Sequence, residues 1–199
     1  MNKYIVLLRG INVSGKKLIK MKELQQHLLS IGFTNVKTYI QSGNIILETC
    51  LVDIKEIKSQ INNLLQNIYG FTVEIFITDS NYIQKSLDNN PFLEYKNQNK
   101  VYLGFLVDIP NDEKLNILII EYKTNKFGEE LFKIIDNTLY FYLPNGQANS
   151  KFSNNYFEKK LGISITTRNI NTCNKLIEIN RNYKQTKHSN FNTLETFKQ

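Results

Sequence analysis

The segment Gly10-Ile11-Asn12-Val13-Ser14-Gly15-Lys16-Lys17 has the spacing G-x-x-x-x-G-K of a phosphate-binding loop, between an apolar run and a helix-period segment. In such a loop backbone amides wrap the phosphates, the lysine neutralises them, and a following Ser or Thr hydroxyl holds magnesium. Here that last position is Lys17, which cannot ligate a cation. No apolar strand ending in aspartate supplies a second magnesium carboxylate. Two readings stay open. One is a non-hydrolytic anion site made by the loop and the helix start; the other is a plain glycine-containing connection with solvated lysines.

Arginine is the second signal. Of 25 basic residues only Arg9, Arg168 and Arg181 are arginine, in a chain rich in Asn, Ile and Lys as an AT-rich coding sequence would make it. An arginine kept against that bias points to a rigid two-pronged donor for a carboxylate or phosphate. Arg9 and Arg168 fall at expected strand ends among amides, with Asn12 near one and Asn169 and Asn171 beside the other. The alternative is an arginine paired with a structural carboxylate across an interface between two halves.

Constellations for catalysis are thin. His27 and His188 are the only histidines, and neither has Cys, Asp or Glu at ligand spacing, so no metal or other cofactor is expected. No G-x-S-x-G elbow appears. Cys50 and Cys173 read as two buried thiols in a reducing cytosol. Phe105, Tyr140 and Tyr142 alternate along expected strands and could stack bases, but the RNA-recognition signature is missing and core is the simpler assignment.

These residues need elements to hold them. Residues 4–8 read as a buried strand; Met21, Leu24, Leu28 and Ile31 recur at helical spacing before Gly32. Residues 36–40 and 45–48 read as strands around the turn Gln41-Ser42-Gly43-Asn44. A helix capped by Asp53 and stopped by Gly70 precedes a strand at 73–77. The order is β-α-β-β-α-β, and Gly32-Phe33-Thr34 and Gly70-Phe71-Thr72 repeat the helix exit. A helix follows at 79–90 and a polar linker at 94–99. The same order then returns: strand 101–107, a helix from Pro110, strands 131–135 and 139–143, helix 155–161, strand 163–167. A last helix covers 171–179. The expected class is α+β: two ferredoxin-like halves (1–78 and 99–180) with antiparallel sheets, a connecting helix and linker (79–98), and a polar mobile tail (181–199).

The bulk properties set limits. No run of about 18 apolar residues exists, and residues 4–8 are too short for a secretion signal, so a cytoplasmic protein away from membranes is expected. The net charge of +7 invites a nucleic-acid partner, but most of it is general lysine enrichment. The exception is the N-terminus, where Lys3, Arg9, Lys16, Lys17, Lys20 and Lys22 precede the first acid, Glu23.

The strings LLRGINVSGKKLIKMKELQQHLLSIGF, YIQSGNIILE, NNPF, VYLGFLV and LGISITTRNINTCNKLIEI follow one another as in the bacterial family called domain of unknown function 1697, which this chain resembles over residues 4–179. Ser14 stands where the family pattern has glycine, and Ile170 where it has tryptophan. The resemblance implies two ferredoxin-like halves and no catalytic residue. It also points to the polar segments singled out above: Arg9, Gly10, Asn12, Gly15 and Lys16; Gln41, Ser42, Gly43 and Asn44; Thr167, Arg168, Asn169 and Asn171. Joined, they would make a basic, amide-rich patch binding an anionic ligand, either a phosphorylated metabolite or nucleic acid. On that reading changing Arg168 to Ala lowers affinity without unfolding the protein. Two alternatives are an enzyme holding a small anionic substrate with two arginines, and a protein that binds another protein. Oligomeric state is not legible.

Overall fold

The structure, a computed structural model, describes residues 1–95, 97–124 and 127–192, with side chains as far as Asn182. The first half runs β1 (Asn2–Leu8), α1 (Met21–Ser30), β2 (Thr34–Tyr39), β3 (Asn44–Thr49), α2 (Ile54–Tyr69), β4 (Ile75–Thr78). After α3 (Ser80–Asp88) the second half repeats the order: β5 (Val101–Leu106), α4 (Asp112–Thr124), β6 (Leu131–Ile135), β7 (Thr138–Tyr142), α5 (Asn154–Leu161), β8 (Ile165–Asn169). The sheets are ordered β2-β3-β1-β4 and β6-β7-β5-β8, antiparallel throughout. Each is the ferredoxin-like order, so the chain is an α+β protein of two such halves.

The central strands are apolar without alternation because both their faces are buried. In β1, Val6 and Leu8 pack with α1 and α2, while Ile5 and Leu7 face the other way. In β5, Leu103 and Phe105 point into that same second layer, and Leu106 packs with α4 and α5. The two sheets therefore share a middle core. Phe76 of β4 stacks on Phe105 at 5.2 Å between ring centroids. The layer is completed by Ile83 and Leu87 of α3 and by Cys173, Leu176 and Ile177 of the last helix.

That last helix, α6 (Ile170–Asn192), overturns the expected mobile tail as far as Asn192. No glycine or proline interrupts the segment, so the helix continues past its apolar part. Asn180 is buried and Arg181 Nη2 donates to Gln84 Oε1 at 2.9 Å, tying the helix to α3. Residues 193–199 of the expected tail lie outside the described residues. Within the expected linker Gln98 Nε2 donates to the carbonyls of Phe92, Leu93 and Tyr95. Cys173 is buried as expected, whereas Cys50, just past β3, is exposed. Among the described residues no helix is long and apolar enough to cross a membrane.

Candidate functional site

The glycine loop is a small hairpin. Lys16 N donates to the Val13 carbonyl at 3.0 Å and Asn12 N to that of Lys17 at 3.2 Å. Ser14 and Gly15 at its tip both have positive φ, the geometry of a primed two-residue turn. The Asn12 side chain locks the base: its Oδ1 accepts from Ile19 N, and its Nδ2 donates to the carbonyls of Ile19 and Gln41. Two of the loop's amides, those of Asn12 and Lys16, are thus spent internally. Lys17 reaches back to the Thr72 carbonyl at 2.9 Å, and α1 begins only at Met21.

Arg168 lies inside β8, opposite Leu103, rather than at a strand end. Alternation turns it into the middle layer, where it crosses to the first sheet. Its Nε donates to Asn44 Oδ1 at 2.5 Å; Nη2 donates to the carbonyls of Leu8 and Ser42 at 2.8 Å and of Gly43 at 3.3 Å. Nη1 takes the Thr167 carbonyl. Only 8% of the residue is exposed, and among the described residues no carboxylate pairs with it. Burial pulls its pKa down from 12.5 to about 10, which leaves it charged at neutral pH. Asn44 is held for this task, its Nδ2 donating to Tyr39 O and Ser42 Oγ. Gly43 is required beside it. Its φ is +79°, and an added Cβ would meet Leu8 Cβ at 2.7 Å.

Arg9 bridges the halves a second time. Its Nε donates to the Ile165 carbonyl at 3.1 Å, and Nη2 pairs with Glu158 of α5. Glu158 also accepts from Ile165 N at 2.7 Å. The structural pairing weighed from the sequence is therefore present for Arg9. For Arg168 the partners are carbonyls and an amide oxygen instead.

Between these two arginines the halves leave a cleft of about 460 Å³. The first half contributes Arg9, Gly10, Ile11, Val13 and Ser42. The second contributes Gln147, Ser153, Asn154, Asn155, Thr167 and Arg168. Among the described residues no acid, histidine, cysteine or aromatic residue lines it. Ser153 caps α5, its Oγ accepting from Tyr156 N at 3.2 Å, so the N–H groups of Asn154 and Asn155 open into the cleft region without an intrahelical partner. Thr167 Oγ1 donates to Asn154 Oδ1 at 2.6 Å.

Five of the residues expected from the sequence thus meet: Arg9, Gly10, Ser42, Thr167 and Arg168. Asn44 stands behind them. Asn12 and Gln41 line a separate depression of about 350 Å³ with Ile19 and Tyr69. Gly15 and Lys16 sit at the hairpin tip. Asn169 caps α6 by accepting from Thr172 N, and Asn171 bonds Asn99. Sequence reasoning missed Gln147, Ser153, Asn154 and Asn155. Ser153 ahead of a helical segment was a readable cap; the asparagines were hidden by how common asparagine is in this chain.

A family model described as protein of unknown function (DUF1697) matches residues 1–140. The chain belongs to the DUF1697 family. This DUF1697 chain is also similar to the conserved bacterial protein SP0830 from Streptococcus pneumoniae, with 21% identity and a TM-score of 0.62 over 88% of this chain and 97% of that one. At that identity the likeness is one of fold. No curated protein matches the chain. Among the described residues no group of three His, Cys, Asp or Glu is placed to hold a metal ion.

Proposed function

We propose that this DUF1697 protein is a binding module whose cleft between the halves takes a small anionic ligand. The observation that carries the reading is Arg168: a buried guanidinium at the cleft, held by neutral oxygens and paired with no carboxylate among the described residues. Such a charge keeps a positive potential in a site of low dielectric, where an incoming anion gains more than it would in water. Arg9 adds a second guanidinium with donors to spare, and the start of α5 adds two N–H groups.

The cleft is the size of a metabolite site, which favours a phosphorylated metabolite over a polynucleotide. An extended nucleic acid would use exposed aromatic platforms, and Phe105 and Tyr140 are spent in the core. An enzyme needs a proton acceptor. No titratable group but the two arginines lines the cleft, and the nearby Glu158 is engaged by Arg9 and Ile165 N. Binding is the better-supported activity.

A thermal-shift series against phosphate monoesters, dicarboxylates and short RNA and DNA tests this, with Arg9→Gln as the control. Arg9 is partly exposed, so its loss leaves the fold intact, unlike that of Arg168. A small anion at 100 times its Kd should stabilise the protein by about 2.7 kcal/mol, and Arg9→Gln should weaken it at least about tenfold. Stabilisation by oligonucleotides alone, or by no anion, would refute the reading.

A further inference from the structure

Resting on that reading of the cleft, we infer that the ligand carries its anionic group on a polyhydroxylated body: a sugar or polyol phosphate, not bare phosphate and not a nucleotide. The cleft has two chemically different parts. One is cationic, with Arg9, which commits only its Nε and Nη2 within the protein, and Arg168. The other is lined by neutral groups that both donate and accept. Gln147 and Asn155 are exposed and line the cleft, and their carboxamides make no hydrogen bond among the described residues. The Ser42 and Ser153 hydroxyl oxygens accept from Asn44 Nδ2 at 2.9 Å and from Tyr156 N at 3.2 Å, which leaves each O–H free to donate.

A carboxamide or hydroxyl matches a sugar hydroxyl, because each side donates and accepts. A phosphate is chiefly an acceptor, with at most one or two P–OH donors at neutral pH, so it makes less use of the amide oxygens of Gln147 and Asn155 than several sugar hydroxyls would. A nucleobase asks for a flat partner, and no aromatic residue lines the cleft. The apolar part of its wall comes from Ile11 and Val13, aliphatic groups that suit the C–H faces of a sugar ring.

Calorimetric titration of the full chain with inorganic phosphate, a hexose, the same hexose as its 6-phosphate, and adenosine monophosphate tests the inference. The hexose phosphate should bind about ten- to a hundredfold more tightly than inorganic phosphate, the gain of two or so hydrogen bonds. In a Gln147→Ala, Asn155→Ala double variant that advantage should vanish while inorganic phosphate binds as before. Both positions are exposed, so an unchanged melting temperature verifies the fold. Equal affinity for phosphate and hexose phosphate, or tighter binding of the nucleotide, overturns the sugar inference and leaves the anion site standing. Failure of every anion to bind overturns the anion site itself, and the inference with it.

Discussion

Arg168 and Arg9 show how the same residue type does different work at different depth. Arg168 satisfies four oxygens from the first half and one from its own strand, with only a small part of it open to the cleft. Truncation to Ala leaves Asn44 Oδ1 and the Leu8 and Ser42 carbonyls without their donor and opens a cavity between the sheets. The expected cost is about 3 kcal/mol or more, read as a lower urea midpoint with an unchanged slope. Arg168→Lys should recover only part of it, because an ammonium cannot fork. A loss under about 1 kcal/mol for the Ala variant would contradict the clamp. This corrects the expectation that Arg168 can be removed without touching the fold. Arg9, paired with Glu158 nearer the surface, is worth about 1 kcal/mol or less. The scarcity of arginine drew attention to both residues, but it could not separate a ligand donor from a clamp. That depends on which oxygens the fold brings near.

At the scale of elements, the hairpin and the β2–β3 turn both use glycine at positive φ, for different reasons. Gly15 has φ +73° and nothing within 4 Å of an added Cβ, so Gly15→Ala costs only the conformational strain, about 1 kcal/mol. Gly43 has a similar φ, but its added Cβ would collide with Leu8 Cβ at 2.7 Å and Ile11 Cδ1 at 2.9 Å. Gly43→Ala should therefore cost about 2–3 kcal/mol and displace Ser42 from the cleft. Equal melting temperatures for the two variants would mean the turn relaxes freely. Glycine spacing drew the sequence reading to the first loop, which lines the cleft with Gly10, Ile11 and Val13, while the second turn supplies Ser42 and the carbonyls that hold Arg168. Element order was legible because helix and strand periods and helix-stopping glycines are local signals. The position of β8 was not, and the two-residue shift is what places Arg168 in the core.

The whole molecule is bound together by its middle layer, which both sheets, α3 and α6 share. Each half alone would expose Ile5, Leu7 and Ile46, or Leu103 and Phe105, so the halves should unfold as one unit. Two groups of that layer make the test a pH titration. Burial raises the Cys173 thiol from 9.0 to about 12 and the Tyr140 phenol from 10.0 to about 12; Tyr140 Oη donates to the Ser86 carbonyl at 2.8 Å. Both are acids kept protonated by the fold. Their contribution is complete below about pH 9 and is lost as pH rises towards about 12, on the order of 1 kcal/mol per pH unit for each group. Urea midpoints should fall over that range, with near-ultraviolet (aromatic packing) and far-ultraviolet (helix) circular dichroism changing together in each urea titration. Separate transitions by the two probes would mean that the halves are independent.

The sequence by itself determined the class of the fold, its two-fold repeat of order and its family, because these rest on local periodicity and on motifs read in succession. It also picked out Arg9 and Arg168 by residue type, and Ser42 and Thr167 through the family resemblance. Only the tertiary structure decided that Lys16 and Asn171 lie elsewhere, that α6 continues into the expected tail as far as Asn192, and that Gln147, Ser153, Asn154 and Asn155 complete the cleft. The reason is physical. A cleft between halves is made by residues far apart in the chain, and the packing of two sheets on one shared layer sets which of them face each other.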